Sequence, residues 1–198
     1  MLPAEIGPGS DLSLIVGLFA NSGGAQRICF AVDLSGSMRA QVGQGHSRMS
    51  VVNMHLEMAL KAHEGKNQFF GISTFTGSAK LPLGAHLREA TPANIDLAMR
   101  TVRTFRAGGG NGGEPQCLRH LLAMQPDVVF FLGDGGWQPE PLIQEAGRAN
   151  GVRINSIAFY TTGGGLQEIA DMTGGQHREV KSIEEFHVDN TSGGAGQW

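Results

Sequence analysis

Polar and apolar residues follow two rhythms along this chain, and the rhythms take turns. Continuous apolar runs that stop at a polar loop occur at residues 28–32 and 128–132. Such runs suit strands of a parallel sheet buried on both faces. Residues 69–75 and 152–160 read as further strands, 177–180 as a short last one, and 12–19 as an early one. Between the strands, apolar positions recur at helical spacing: Val52, Leu56, Ala59 and Leu60 within 49–63, then Ile95, Met99 and Val102 within 92–105. Thr91 stands where it can N-cap the second helix, and Gly65 and Asn67 where they can close the first. Helices are also expected over 115–124, 139–150 and 166–173, and Gly77-Ser78 should fold 79–83 back as a hairpin.

Strand and helix alternating in this way predict an α/β fold. It should be Rossmann-like and doubly wound, with a mostly parallel central sheet, one antiparallel edge hairpin and helices on both faces. The 198 residues leave room for one domain. We place it at 12–188, with its core at 26–180, after a Pro- and Gly-rich lead-in at 1–11 and before a flexible tail at 189–198. Thirty glycines are about twice the usual share of roughly 7%. They gather in short runs between apolar segments, so they mark loops.

Charge and cysteine usage narrow the function classes. Fifteen Lys and Arg against 18 Asp and Glu give a net charge of -3 with no basic stripe, which argues against nucleic acid as a partner. Cys29 and Cys117 are too few for a disulfide framework or a zinc cage and read as small buried hydrophobes. No apolar stretch approaches the ~20 residues of a membrane span. The run at 12–20 has the length of a signal-peptide core, but Glu5 and Asp11 precede it with no Lys or Arg. The compartment is left open by the sequence, with the cytoplasm slightly favoured.

Ligands of such sheets sit beyond the carboxyl ends of the strands, which directs attention to the loops after Val32, Phe105 and Leu132. The first reads Asp33-Leu34-Ser35-Gly36-Ser37-Met38, a carboxylate and two hydroxyls at alternate positions. Alternate spacing in a short extended loop can turn three oxygens toward one point. Such a donor set suits a hard divalent cation, Mg²⁺ or Mn²⁺, that keeps several waters. The third loop, Gly133-Asp134-Gly135-Gly136, adds a second carboxylate beyond a second buried strand. Asp33 and the serines also fit an ordinary Asx or Ser turn, and Asp134 alone fits a turn carboxylate.

Asp33-x-Ser35-x-Ser37 after an apolar strand, with an Asp-Gly loop about a hundred residues later, resembles the von Willebrand factor type A family. The stretch 126–135 is similar to the bacterial form of that domain, and the resemblance runs over roughly 26–180. It implies a metal-ion-dependent adhesion site formed by the first and third loops. Asp33, Ser35 and Ser37 would be direct ligands, with Asp134 acting directly or through water. The family completes the site with a threonine on the middle loop, whereas 107–115 here contains none. Alignment on Pro115 puts Asn111 at the threonine position; a slip of one residue puts Gly110 there. The implied role is capture of a partner protein's Asp or Glu, which takes a water's place on the ion. Met38, Glu114 and Trp137 would form the rim, with Glu114 also able to block the site from within.

Other chemistries fit less well. Gly108 to Gly113 satisfies G-x-G-x-x-G, but a helix end precedes it where a dinucleotide site needs a strand. Neither serine lies in a G-x-S-x-G elbow, and no residue of the constellation is an evident base, so no enzyme activity is expected. The competing reading is a structural or self-assembling scaffold whose site has lost its ion, for which the missing threonine speaks. Oligomeric state is left open by the sequence.

Overall fold

The computed structural model describes residues 24–161 and 164–181. The lead-in, the strand expected at 12–19 and the tail at 189–198 lie outside the described residues. In chain order the first elements are β1 (Arg27–Asp33), a 3-10 helix (Gly36–Arg39), β2 (Gln41–Gly43), β3 (His46–Ser47) and α1 (Arg48–His63). Then come β4 (Phe69–Thr76), β5 (Ser78–Lys80), β6 (Arg88–Glu89), α2 (Pro92–Val102) and α3 (Glu114–Leu122). The last are β7 (Val128–Gly133), α4 (Pro139–Ala146), β8 (Arg153–Phe159), α5 (Gly164–Met172) and β9 (His177–Val180).

The central sheet runs β5-β4-β1-β7-β8-β9. β1 lies between β4 and β7 and is parallel to both, in registers that pair Asp33 with Phe75 and Val32 with Leu132. β8 and β9 extend the parallel order, while β5 and β6 pair antiparallel with opposite ends of β4. β1 and β7 are the two continuous apolar runs, and β7 is buried at every position. Side chains alternate between the two faces. Ile28, Phe30, Val32, Phe130 and Leu132 meet α1 and α2 through Val52, Leu56, Ile95 and Val102. Cys29, Ala31, Val129 and Phe131 meet α3, α4 and α5 through Leu118, Leu121, Leu142 and Ile169. Both thiols are free and fully buried, and burial pushes each up to about 12, so they pack as apolar groups.

The helix ends follow local chemistry. Thr91 caps α2 by accepting from Asn94 N at 3.3 Å. Gly65, at φ +71°, turns the chain out of α1. Ser47 and Ser50 form a reciprocal capping box at the start of α1, which the sequence reading did not identify. The structure also differs from expectation in length. The hairpin partner is Ser78–Lys80 rather than 79–83, because Leu83 leaves the sheet edge to enter the core. α2 stops at Val102 and α4 at Ala146, short of the expected 105 and 150. β2–β3 is a small hairpin that hydropathy could not reveal, built of polar residues around Gln44 and Gly45, both at positive φ. No helix among the described residues is long and apolar enough to cross a membrane.

His55 lies on the core side of α1, fully buried, its ring centroid 5.7 Å from that of Phe159. Burial lowers its pKa from 6.5 to about 4, because the charged imidazolium is poorly solvated there. A depressed histidine pKa contributes stability that is present above 6.5 and lost as the pH falls toward 4, about 3 kcal/mol in all. Urea unfolding of wild type and His55→Leu at pH 7 and pH 4 checks this. The wild type should lose about 3 kcal/mol more than the variant on acidification; equal losses would remove His55 from the account.

Candidate metal centre

β1 ends at Asp33, and the chain leaves the sheet there. Leu34 N donates to Phe75 O at 2.9 Å, and Gly108 N donates to Leu34 O at 2.9 Å, so the first loop is stitched to the end of β4 and to the middle loop. Asp33 is fully buried, and its Oδ1 accepts from Ser35 N at 2.7 Å. That is an Asx turn, and it uses one oxygen only. Asp33 Oδ2 is equally buried and has no partner within hydrogen-bond geometry. Burial raises the carboxyl pKa from 3.8 to about 6; hydrogen bonding from Ser35 and, more weakly, from the Asp134 backbone N–H offsets part of this, and the Asp134 charge adds to it. A desolvated carboxylate oxygen without a close donor is relieved by protonation or by a cation.

The two hydroxyls sit beside it. Ser35 is buried, Ser37 is exposed, and their Oγ atoms are 2.9 Å apart. Adjacent ligands of an octahedral Mg²⁺, each at ~2.1 Å, lie about 3.0 Å apart. The pair is therefore spaced to share one such ion, with Ser37 on the solvent side. The 3-10 helix then turns Met38 inward to pack in the core, fully buried. Met38 is thus corrected from rim to core: Met38 N binds back to Ser35 O at 3.1 Å, and that tight turn points its side chain at the sheet.

Asp134 follows β7 and is as buried as Ser35. Its Oδ1 accepts from Gly136 N at 3.0 Å, and its Oδ2 accepts from Arg48 Nη1 at 2.7 Å. The second guanidinium nitrogen of Arg48 donates to Tyr160 O at 3.2 Å. Gly133 lies against the Asp33 carboxylate, where a Cβ would lie 3.1 Å from Asp33 Oδ2 and 2.8 Å from the Trp137 ring. Sequence reasoning missed Arg48. Its one signal was a cation at the first position of a helix, where the macrodipole disfavours positive charge.

The middle loop is held by Thr76, also missed, the last residue of β4. Its hydroxyl donates to Gly108 O at 2.6 Å and lies 3.2 Å from Gly110 O. Gly113, at φ +95°, closes the loop against the β4–β5 turn, where a Cβ would come 2.8 Å from Ser78 C. Asn111 is exposed and lies with Gly112, Glu114, Gly136, Trp137 and Pro141 along a cleft of about 350 Å³. No hydrogen bond joins it to Asp33, Ser35 or Ser37. Glu114 is buried, and its Oε1 accepts from Gly112 N at 3.0 Å. It is therefore corrected from rim to brace, since binding its own loop turns the carboxylate inward. Trp137 is half-buried, edge-on to Phe75 with ring centroids 5.5 Å apart, and its remaining surface lines the cleft.

Among the described residues no three His, Cys, Asp or Glu side chains gather as a metal cluster. A cation here would depend on Asp33, the two serine hydroxyls and water, which is a donor set for a hard ion. The orphaned Oδ2 and the hydroxyl spacing fit that ion.

No family model matches this sequence, and none of the curated proteins compared with it does. Solved structures do. BatB from Bacteroides thetaiotaomicron, described as a conserved hypothetical protein, superposes with a TM-score of 0.66 at 16% identity, covering 81% of this chain and 92% of that one. A von Willebrand factor type A protein from Catenulispora acidiphila gives 0.66 at 18% identity, covering 78% of this chain and 38% of that one. Manganese-loaded TRAP from Plasmodium vivax gives 0.54 at 16% identity, covering 73% and 62%. At these identities the likeness is one of architecture, and the architecture is the von Willebrand factor type A fold.

Proposed function

We propose that the chain is a protein-interaction module that captures an acidic side chain of a partner protein through a divalent cation, Mg²⁺ or Mn²⁺. The observation that carries this reading is the buried Asp33 carboxylate, whose Oδ2 has no donor within hydrogen-bond geometry, on one loop with two hydroxyls 2.9 Å apart. When bound, the ion supplies a concentrated positive charge with water-filled positions that a carboxylate can take. Ser35 N holds Asp33 so that Oδ2 is left for the ion. Ser35 and Ser37 contribute their hydroxyls. Asp134, whose oxygens both already accept hydrogen bonds, contributes through its charge or through a water. Asn111 and Trp137 line the cleft on the approach side, where a partner segment would pass. A manganese-loaded protein of the same fold supports the choice of ion. We read the site as one that binds, its two hydroxyls bonded to each other.

One observation favours the competing scaffold reading. Arg48 already supplies a cation to Asp134, so half of the carboxylate pair is neutralised without metal. Thermal unfolding at pH 7.5 separates the two. Asp33's folded-state pKa lies above its unfolded value, so its contribution to stability is present below 3.8 and lost as the pH rises through about 6. Above that the metal-free protein carries a burden on the order of 3 kcal/mol. In EDTA, Asp33→Asn should therefore melt at or above the wild type. With Mn²⁺ or Mg²⁺ at about 100 times its Kd, the wild type should gain about 2.7 kcal/mol, or roughly 5–10 °C, and Asp33→Asn should gain nothing. A metal shift that survives in Asp33→Asn, or none in either the wild type or a folded Arg48→Met variant at millimolar metal with acetate present, rejects the ion-bridged reading.

A small free carboxylate tests the bridge itself. Acetate should raise the wild-type melting temperature further in Mn²⁺ and leave it unchanged in EDTA, with chloride at equal ionic strength as the control. An acetate effect that is equal with and without Mn²⁺ contradicts capture through the ion.

A further inference from the structure

We propose that Arg48 is a resident counter-cation of this site: it lowers the site's affinity for a divalent ion alone and leaves a bound ion short of one negative charge, so that a partner's carboxylate completes it. The inference rests on the ion-binding reading above and deepens it. It starts from how firmly Arg48 is placed. Its backbone N donates to Ala40 O at 3.0 Å, behind the 3-10 helix that carries Ser37. Its guanidinium bridges the ends of two strands, from Asp134 Oδ2 at 2.7 Å to Tyr160 O at 3.2 Å. The Arg48 side chain is 21% exposed and that of Asp134 is 3% exposed, so water screens the pair weakly. At the first residue of α1 the helix dipole opposes a cation. Nothing local favours an arginine there; the carboxylate does.

The consequence is a matter of charge. Two carboxylates would neutralise a divalent ion and leave little attraction for a third. With the guanidinium present, a divalent ion, Asp33, Asp134 and Arg48 sum to one positive charge. A partner's Asp or Glu brings that sum to zero, so that no net charge is desolvated when the partner covers the site. Asp134 is also kept from rotating onto the ion, because both its oxygens already accept hydrogen bonds from the protein. Arg48 acts through Asp134, so it is a positioning residue and touches neither ion nor partner.

Mn²⁺ titrations at pH 8, read by the electron paramagnetic resonance of free Mn²⁺ and by calorimetry, test this on the full chain. Arg48→Met should bind Mn²⁺ about tenfold or more tightly than wild type, and acetate should no longer strengthen binding. Arg48→Gln, which keeps a donor for Asp134 without the charge, should move in the same direction and serves if the methionine variant does not fold. Arg48→Lys, which restores the charge, should return toward wild type, a recovery that a purely structural role would not produce. Asp134→Asn, which leaves the guanidinium unpaired, should weaken Mn²⁺ binding. If wild type binds Mn²⁺ and the folded Arg48→Met and Arg48→Gln variants bind no more tightly, the inference is overturned while the ion-binding reading stands. If neither wild type nor any folded Arg48 variant binds Mn²⁺, the ion-binding reading falls and takes this inference with it.

Discussion

A carboxylate at the end of a strand buried on both faces is expensive to ionise, and the upper end of this molecule is arranged around that expense. β1 is apolar from Ile28 to Val32 and lies between β4 and β7, so the first polar group beyond it, Asp33, emerges where water is already excluded. One of its oxygens is satisfied by the loop's own backbone and the other is not. The glycines on each side let three loops close over this point. Thr76 ties down the middle loop, and Gly133 lets the Trp137 ring and the Asp33 carboxylate come together. Hydrophobic packing, which stabilises the sheet by roughly 1.5–3 kcal/mol for each large side chain fully buried, holds this arrangement against the electrostatic strain.

The parts of the structure written in side-chain periodicity were legible in the sequence. Residues 28–32 and 128–132 read as strands buried on both faces, and their alternation with helices at 3.6-residue spacing gave the mostly parallel sheet, though not the order of its strands. Asp33, Ser35, Ser37 and Asp134 stood out because ligands of such sheets sit beyond the strand ends, and the structure sets Asp33 and Asp134 at the ends of two adjacent strands. Elements held by polar contacts were not. The β2–β3 hairpin depends on Gln44 and Gly45 at positive φ and on backbone bonds, which leave no hydrophobic trace. Met38 was misplaced because its position after the motif says nothing of the 3-10 turn that swings it into the core. Glu114 was misplaced because a carboxylate that binds its own loop looks, in sequence, like any other at a helix start. Arg48 and Thr76 reach the site from 86 and 32 residues away in the contacts they make, distances no local pattern spans.

Those two residues change how the missing middle-loop threonine is understood. The loop carries no hydroxyl of its own, and Asn111 faces the cleft, away from any hydrogen bond with the serines. Thr76 braces the loop from outside, and its hydroxyl is occupied in doing so. On the proposed reading the first loop supplies the direct ligands, and the guanidinium beside Asp134 would leave an ion there under-neutralised. In this account the site depends on what it binds: without a partner it holds its ion weakly, and with a carboxylate from outside it becomes complete.

The central claim is that the Asp33 loop holds a divalent ion, and a crystal grown in Mn²⁺ answers it most directly. Anomalous diffraction at the manganese edge should show a peak about 2.1 Å from Ser35 Oγ, Ser37 Oγ and Asp33 Oδ2, with Arg48 still on Asp134. A map without density there, or with manganese bound only at unrelated surface carboxylates, would contradict the claim and leave a scaffold that keeps the fold and not the ion.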